Sequence, residues 1–298
     1  MLPVRIACIG RSGQVAQALS AAAAAEPGAI DLLCAGRERL DLARPETLER
    51  FIDEARPDAV INAAAYNLVD RAETEPEIAM AINAEGPRTL ARACRERGLP
   101  FIHMSTDCVF RGDKTAPYTE DDEPLPMSVY GRSKHQGERA VWLEYPEALT
   151  VRVCWVFSEF GATFVSRMIE LAATRPVLKV VHDQYGPPTY APDIARALLT
   201  AVREKLAGAD DLSGVLHVAS PDVMNRSFMA RQILAASRWM GGPHAAIEAV
   251  STEAFGAAAP RPQNAVLSGL RATRRLQLRF TPFGQALERS VSGVLTRT

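Results

Sequence analysis

Apolar and polar positions alternate along this chain in two rhythms. Short, nearly continuous apolar runs rich in β-branched residues fall at residues 4–9, 31–35, 59–63, 100–105, 149–156, 177–181 and 215–218. Between them, apolar residues recur at the three-and-four spacing of a helix face, over 14–25, 45–55, 86–97, 133–143, 164–173 and 191–206. Continuous apolar strands separated by amphipathic helices predict βαβ units, and therefore an α/β fold with a doubly wound, mostly parallel sheet covered on both faces. Beyond about residue 220 the strand signal thins, and Pro243, Pro260, Pro262 and Pro282 punctuate helical pieces rich in small residues. The expected division is a dinucleotide-binding core over residues 1–157, followed by a mixed region over 158–298 that completes the sheet and forms a smaller substrate-binding lobe. Residues 111–127, with Pro117, Pro124 and Pro126 around an acidic run, read as a loop lying over the active site and leading into the next helix.

Composition narrows the classes. A chain of 298 residues with 47% hydrophobic content can build a sizeable core without covalent staples. With 34 Lys+Arg against 35 Asp+Glu, no broad electrostatic surface for nucleic acid or anionic lipid is expected, while a local basic pocket for a phosphate stays open. The 5 cysteines lack the paired short spacing of a zinc site and read as reduced core residues. The 5 histidines form no metal-ligand pair, so no metal is expected. The chain enters an apolar strand at once, without a leader-like start or an uninterrupted apolar span, which predicts a soluble cytoplasmic protein with no membrane partner.

Gly10, Gly13 and Ala16 follow the first apolar run and open the first helix as G-x-x-G-x-x-A. A tight turn, close backbone approach to a pyrophosphate and a small residue where helix meets strand are what a Rossmann-type dinucleotide site requires, although an ordinary strand-to-helix turn also uses glycine. No carboxylate immediately follows the second run, Ala35-Gly36-Arg37, so Arg37 is read as a partner for a 2′-phosphate, with a solvated surface arginine as the competing view. That reading leans toward NADPH and leaves NADH open. Asp41 and Leu42 suit the adenine edge, although Asp41 equally suits a turn cap, and the small residues Ala63, Ala64 and Ala65 end the third run where a cofactor would cross.

Tyr130 and Lys134 spell Y-x-x-x-K. Four residues apart on a helix they share a face, so an ammonium is expected close enough to acidify the phenol for proton transfer near neutrality. Upstream, the fourth run ends in Ser105-Thr106-Asp107, and Thr106 suits hydrogen bonding to a substrate carbonyl as charge grows on its oxygen, or else caps the loop.

With these segments in view, the chain resembles the extended short-chain dehydrogenase/reductases, and most closely the dTDP-4-dehydrorhamnose reductase family. The resemblance rests on Gly13-Gln14-Val15, residues 58–70 (DAVINAAAYNLVD), 105–110 (STDCVF), 130–134, 154–157 (CWVF), 183–189 (DQYGPPT) and 261–267 (RPQNAVL), spread over nearly the whole length. It implies Tyr130 as proton donor, Lys134 as the ligand of the nicotinamide ribose and tuner of Tyr130, and Thr106 as the group that polarises a 4-keto oxygen. It further implies cofactor contacts from Gly13, Gln14, Val15, Asp41, Leu42, Ala65, Tyr66 and Asn67, and sugar contacts from Asp107 and Trp155. Arg261 is either a diphosphate ligand or a structural ion pair. Cys108 stands where the family carries tyrosine, which leaves the exact sugar nucleotide open; other departures are Ala16, Asn67 and Ala265.

The leading expectation is reduction of a nucleotide-linked 4-keto deoxysugar, dTDP-4-dehydro-L-rhamnose to dTDP-L-rhamnose, by NAD(P)H. Two alternatives stand beside it: a non-catalytic NADP-binding regulatory subunit, and a reductase or epimerase of another nucleotide sugar. A homodimer is compatible with all three.

Overall fold

The computed structural model describes residues 2–297. Its centre is a six-stranded, fully parallel sheet. Five strands come from the first 153 residues: β1 (Val4–Ile9), β2 (Ile30–Ala35), β3 (Ala59–Asn62), β4 (Phe101–Thr106) and β5 (Leu149–Val153). The sixth, Gly214–Val218, pairs with β5, giving the order Gly214–Val218, β5, β4, β3, β1, β2. Chain direction across the sheet reverses between β1 and β3, and open α/β sheets bind ligands outside the strand carboxyl ends at such a point.

Two apolar layers cover the sheet. On one face, the helices Gln14–Ala24 and Ala191–Leu206 bury residues such as Leu19, Ile194 and Leu198 against Ile6, Ile61 and Val151. On the other, Leu48, Phe51, Leu90 and Val141 close over Ile9, Val60 and Phe101. Alternate residues of β1 thus serve opposite cores, which explains why its apolar run is continuous.

A second lobe has its own core, in which the helices Phe164–Ala172, Arg226–Trp239 and Phe283–Leu295 pack around Phe157, Leu178 and Tyr190. Here the sequence expectation needs correction. Residues 177–181 do not extend the main sheet; they pair in parallel with Ala246–Val250 in a separate ladder. Ala246–Val250 carried no legible strand signal because it lies at the surface, with exposed and half-buried residues replacing an apolar run. The apolar run 149–156 also breaks: β5 stops at Val153, Trp155 adopts a left-handed φ of 42°, and Val156–Phe157 pairs with Thr189–Tyr190 instead.

The helix expected over 133–143 starts earlier and runs Val129–Glu144, so Tyr130 sits in its first turn. Ser128 caps it, accepting from the Gly131 amide at 3.0 Å. Two glycines let this helix approach its neighbours: a Cβ at Gly131 would collide with the Cys108 carbonyl, and one at Gly137 with the Asn83 carbonyl. Asn83 lies in a π-helical turn, Ala81–Glu85, that runs directly into the helix Gly86–Glu96.

Candidate active site

At the switch point, Gly10 adopts φ +120°, a conformation that disfavours a side chain, and its missing Cβ would sit 3.4 Å from the Ala63 carbonyl carbon and the Ala64 nitrogen. The space above Gly13 is open within 4 Å. A groove of about 340 Å³ runs from these glycines across Ala64, Ala65 and Asn67 to Arg37, Asp41 and Leu42. Bare backbone on both sides of the cleft, at the amino end of the helix Gln14–Ala24, suits a dinucleotide pyrophosphate. Of the other candidates, Gln14 turns toward the second lobe, donating to the Val156 carbonyl at 3.3 Å and accepting from Ser158 at 2.9 Å. Val15 is buried in the core beneath the sheet. Tyr66 is held by its backbone against the Asn83 amide and donates its hydroxyl to Glu75 at 2.6 Å.

No carboxylate immediately follows β2, but Glu38 lies two residues past Gly36. Its carboxylate folds over Gly36 and accepts from Arg11 at 2.9 Å. Backbone hydrogen bonding at Glu38 itself, then Arg11, holds this carboxyl below its usual range. Arg37 is exposed and lines the groove, with no hydrogen bond or ion pair among the described residues. Asp41 caps the turn beyond, accepting from the Ala43 amide at 3.0 Å.

At the carboxyl end of β4, Thr106 and Asp107 are buried. The Thr106 hydroxyl donates to Asp107 Oδ1 at 2.9 Å and accepts from the Cys108 amide at 3.2 Å, and it lies near enough to the Tyr130 phenol to lower its pKa slightly. Tyr130 is half-buried, and burial, followed by the nearby Cys108 and Asp107, raises its pKa. This corrects the expected acidification by Lys134. That ammonium donates to the Met104 carbonyl at 2.7 Å and is not among the groups shifting the phenol. Sharing a helix face did not bring the charges together, because β4 offered the ammonium a buried acceptor. The phenol therefore keeps its proton, the state from which it can donate. Burial lowers Lys134 to about 8, opposed by the carboxylate of Glu138 one turn on.

Glu138 belongs to a buried network that the spacing rules missed. It accepts from Arg152 on β5 at 2.8 and 2.7 Å, and Arg152 in turn approaches His217 Nε2 at 3.4 Å and lies 5.0 Å from the centre of the Phe110 ring. Burial works against the charge on Glu138, but the hydrogen bonds from Arg152 and then His135 outweigh it and hold the carboxyl down at about 2.

Across the cleft, Asp107 Oδ2 accepts from Cys154 Sγ at 3.3 Å, and burial raises the Asp107 carboxyl. Burial likewise pushes the Cys108 thiol up to about 12, which argues against a nucleophilic role. Cys108 and Cys34 are half-buried rather than core residues, while Cys8, Cys94 and Cys154 are buried. Trp155 carries the guanidinium of Arg226 over its ring, a partner that no motif had indicated. Arg261 makes the structural pair, bidentate on Asp70 at 2.9 and 2.7 Å.

Residues 4–295 match the family model described as RmlD substrate binding domain. Proteins named dTDP-4-dehydrorhamnose reductase from Sinorhizobium fredii and Burkholderia thailandensis are 37% and 39% identical to the chain, covering 98% and 99% of it and 98% and 100% of their own lengths. The crystal structure of a dTDP-4-dehydrorhamnose reductase from Bacillus anthracis in complex with NADP superposes with a TM-score of 0.86 at 30% identity, each chain fully covered. Glycine cleft, buried Thr106–Asp107 pair and Y-x-x-x-K helix thus occur together in a chain that belongs to the dTDP-4-dehydrorhamnose reductase family of extended short-chain dehydrogenase/reductases.

Proposed function

We propose that this protein reduces the 4-keto group of dTDP-4-dehydro-L-rhamnose to give dTDP-L-rhamnose, using NADPH. The observation that carries the reading is the placement of the buried Thr106 hydroxyl beside a protonated Tyr130 at the carboxyl end of β4, in the sheet whose switch point carries the dinucleotide groove. Bound in that groove, NADPH would supply the hydride. Gly10 and Gly13 would hold its pyrophosphate, and Arg37, unspent at the groove's end, suits a 2′-phosphate.

The chain's own residues then account for the oxygen. Thr106 and Tyr130 present two hydroxyls that can converge on a ketone oxygen, and hydrogen bonds that strengthen as that oxygen gains charge favour the transition state over the ground state. Tyr130 gives up its proton as the alkoxide forms. Lys134, with one donor on Met104, has others free for a ribose hydroxyl. Asp107, held by Thr106 and Cys154, and Trp155 would meet the sugar.

The reading includes a cytoplasmic homodimer; sedimentation velocity tests the dimer. No helix among the described residues is long and apolar enough to cross a membrane. The direct test of function is to incubate purified protein with NADPH and a panel of 4-keto nucleotide sugars. Fastest cofactor oxidation with dTDP-4-dehydro-L-rhamnose is the expected result. Preference for another sugar would reassign the substrate, and oxidation with none would leave a binding protein.

A further inference from the structure

Arg226 opens the helix Arg226–Trp239, with its guanidinium 3.6 Å from the centre of the Trp155 ring and 5.1 Å from that of Phe164. Among the described residues this guanidinium makes no hydrogen bond and no ion pair. Two other arginines of the substrate half are engaged: Arg261 on Asp70 at 2.9 and 2.7 Å, and Arg152 on Glu138 at 2.8 and 2.7 Å. The nearby acid, Asp107, has one oxygen on Thr106 at 2.9 Å and the other on Cys154 at 3.3 Å.

A guanidinium held over an aromatic face by its charge keeps the N–H donors around its edge available for another partner. Burial of this cation is unfavourable enough to lower its pKa to about 10 despite the surrounding thiols and carboxyl. A half-buried cation with a full set of unspent donors is costly in isolation and is stabilised by an anion that arrives with a ligand. The position is tied to the chemical site through a short chain of contacts. Trp155 follows Cys154, whose thiol reaches Asp107, which receives the Thr106 hydroxyl. Thr106 and Val153 are also register partners of β4 and β5.

We propose that Arg226 binds the diphosphate of the nucleotide sugar through its edge donors, with Trp155 fixing the plane of the fork, and that Arg261 serves the fold through Asp70. The inference rests on the nucleotide-sugar reading above, in which the sugar and the base are uncharged and the diphosphate holds all the negative charge. It also assigns Trp155 a second duty, as the platform that presents the arginine.

The experiment is calorimetric titration of the full chain with dTDP, thymidine and NADPH, for the wild type, Arg226→Gln and Arg261→Gln. Arg226→Gln should weaken dTDP binding about ten- to a hundred-fold, the range for a charge-assisted hydrogen-bonded pair, and leave thymidine and NADPH affinities unchanged. Arg261→Gln should leave dTDP affinity within about threefold of wild type, as its pair lies at the surface. If the glutamine variant fails to fold, Arg226→Lys keeps the charge without the planar fork and should weaken dTDP about tenfold with normal NADPH binding. Unchanged dTDP affinity in the Arg226 variant, or a larger loss in Arg261→Gln, overturns the assignment. Were the wild type to turn over dTDP-4-dehydro-L-rhamnose while the Arg226 variant bound dTDP normally, only Arg226 would be wrong; failure of the wild type to bind dTDP would remove the nucleotide-sugar reading as well.

Discussion

The two ends of the cleft are built from different materials. At the cofactor end the surface is backbone: Gly10 and Gly13 on one side, Ala63 to Ala65 on the other, with charges confined to exposed groups such as Arg37 and the Arg11–Glu38 pair. At the substrate end it is side chain: a buried carboxyl, two thiols, a phenol and a stacked guanidinium, most of them shifted from their ordinary titration ranges by burial. Backbone recognises shape and tolerates little change in bulk, whereas buried side chains set chemistry and are sensitive to single functional groups.

The contrast is sharpest at Tyr130. Removing one hydroxyl with Tyr130→Phe should reduce kcat by about 10²- to 10⁴-fold, the usual worth of a positioned proton donor, and leave NADPH affinity intact by fluorescence titration. Similar losses in both would put Tyr130 in the binding surface.

Next in size is Glu138→Gln, which breaks a buried, bidentate pair and should cost about 3–5 kcal/mol in chemical denaturation. The wild-type contribution has a pH sign. Its carboxyl is depressed on folding, so the stabilisation is present above the unfolded value of 4.5 and is lost as pH falls toward about 2. The exposed Arg5–Asp31 pair supplies the control, since Asp31→Asn should change stability by about 1 kcal/mol at most.

At the cofactor end, Gly10→Ala asks for a methyl group where φ is +120° and the opposite backbone is 3.4 Å away. Backbone strain of about 1–2 kcal/mol at this turn is expected to weaken NADPH binding and to leave dTDP affinity unchanged. The smallest effect is a titration. Lys134 is charged below about 8 in the free enzyme, so NADPH binding should weaken as pH rises through that value, and Lys134→Met should remove the inflection.

The same division explains what could be read from the chain alone. The five strands β1 to β5, the glycine turn and the helix bearing Tyr130 were legible because each depends on neighbours within a few residues: an apolar run, a G-x-x-G spacing, an i, i+4 pair. The substrate end draws on residues 106–108, 154–155 and 226, which meet only through the fold. Arg226 lies in no pattern that distinguishes it from a solvated helix residue, and Lys134 was placed on the right face but given the wrong partner, since the Met104 carbonyl cannot be seen in a periodicity. The π-helical turn at Ala81–Glu85, which sets Asn83 against Tyr66 and Ser133, likewise has no sequence signature short of the structure.

The most direct measurement is the fate of a label. NADPH carrying deuterium at the transferring position of the nicotinamide, incubated with the enzyme and dTDP-4-dehydro-L-rhamnose, should give dTDP-L-rhamnose with deuterium bound to C4 of the sugar, as read by NMR. Product labelled at another carbon, or unlabelled product with the cofactor still reduced, would contradict hydride delivery to the ketone beside Tyr130.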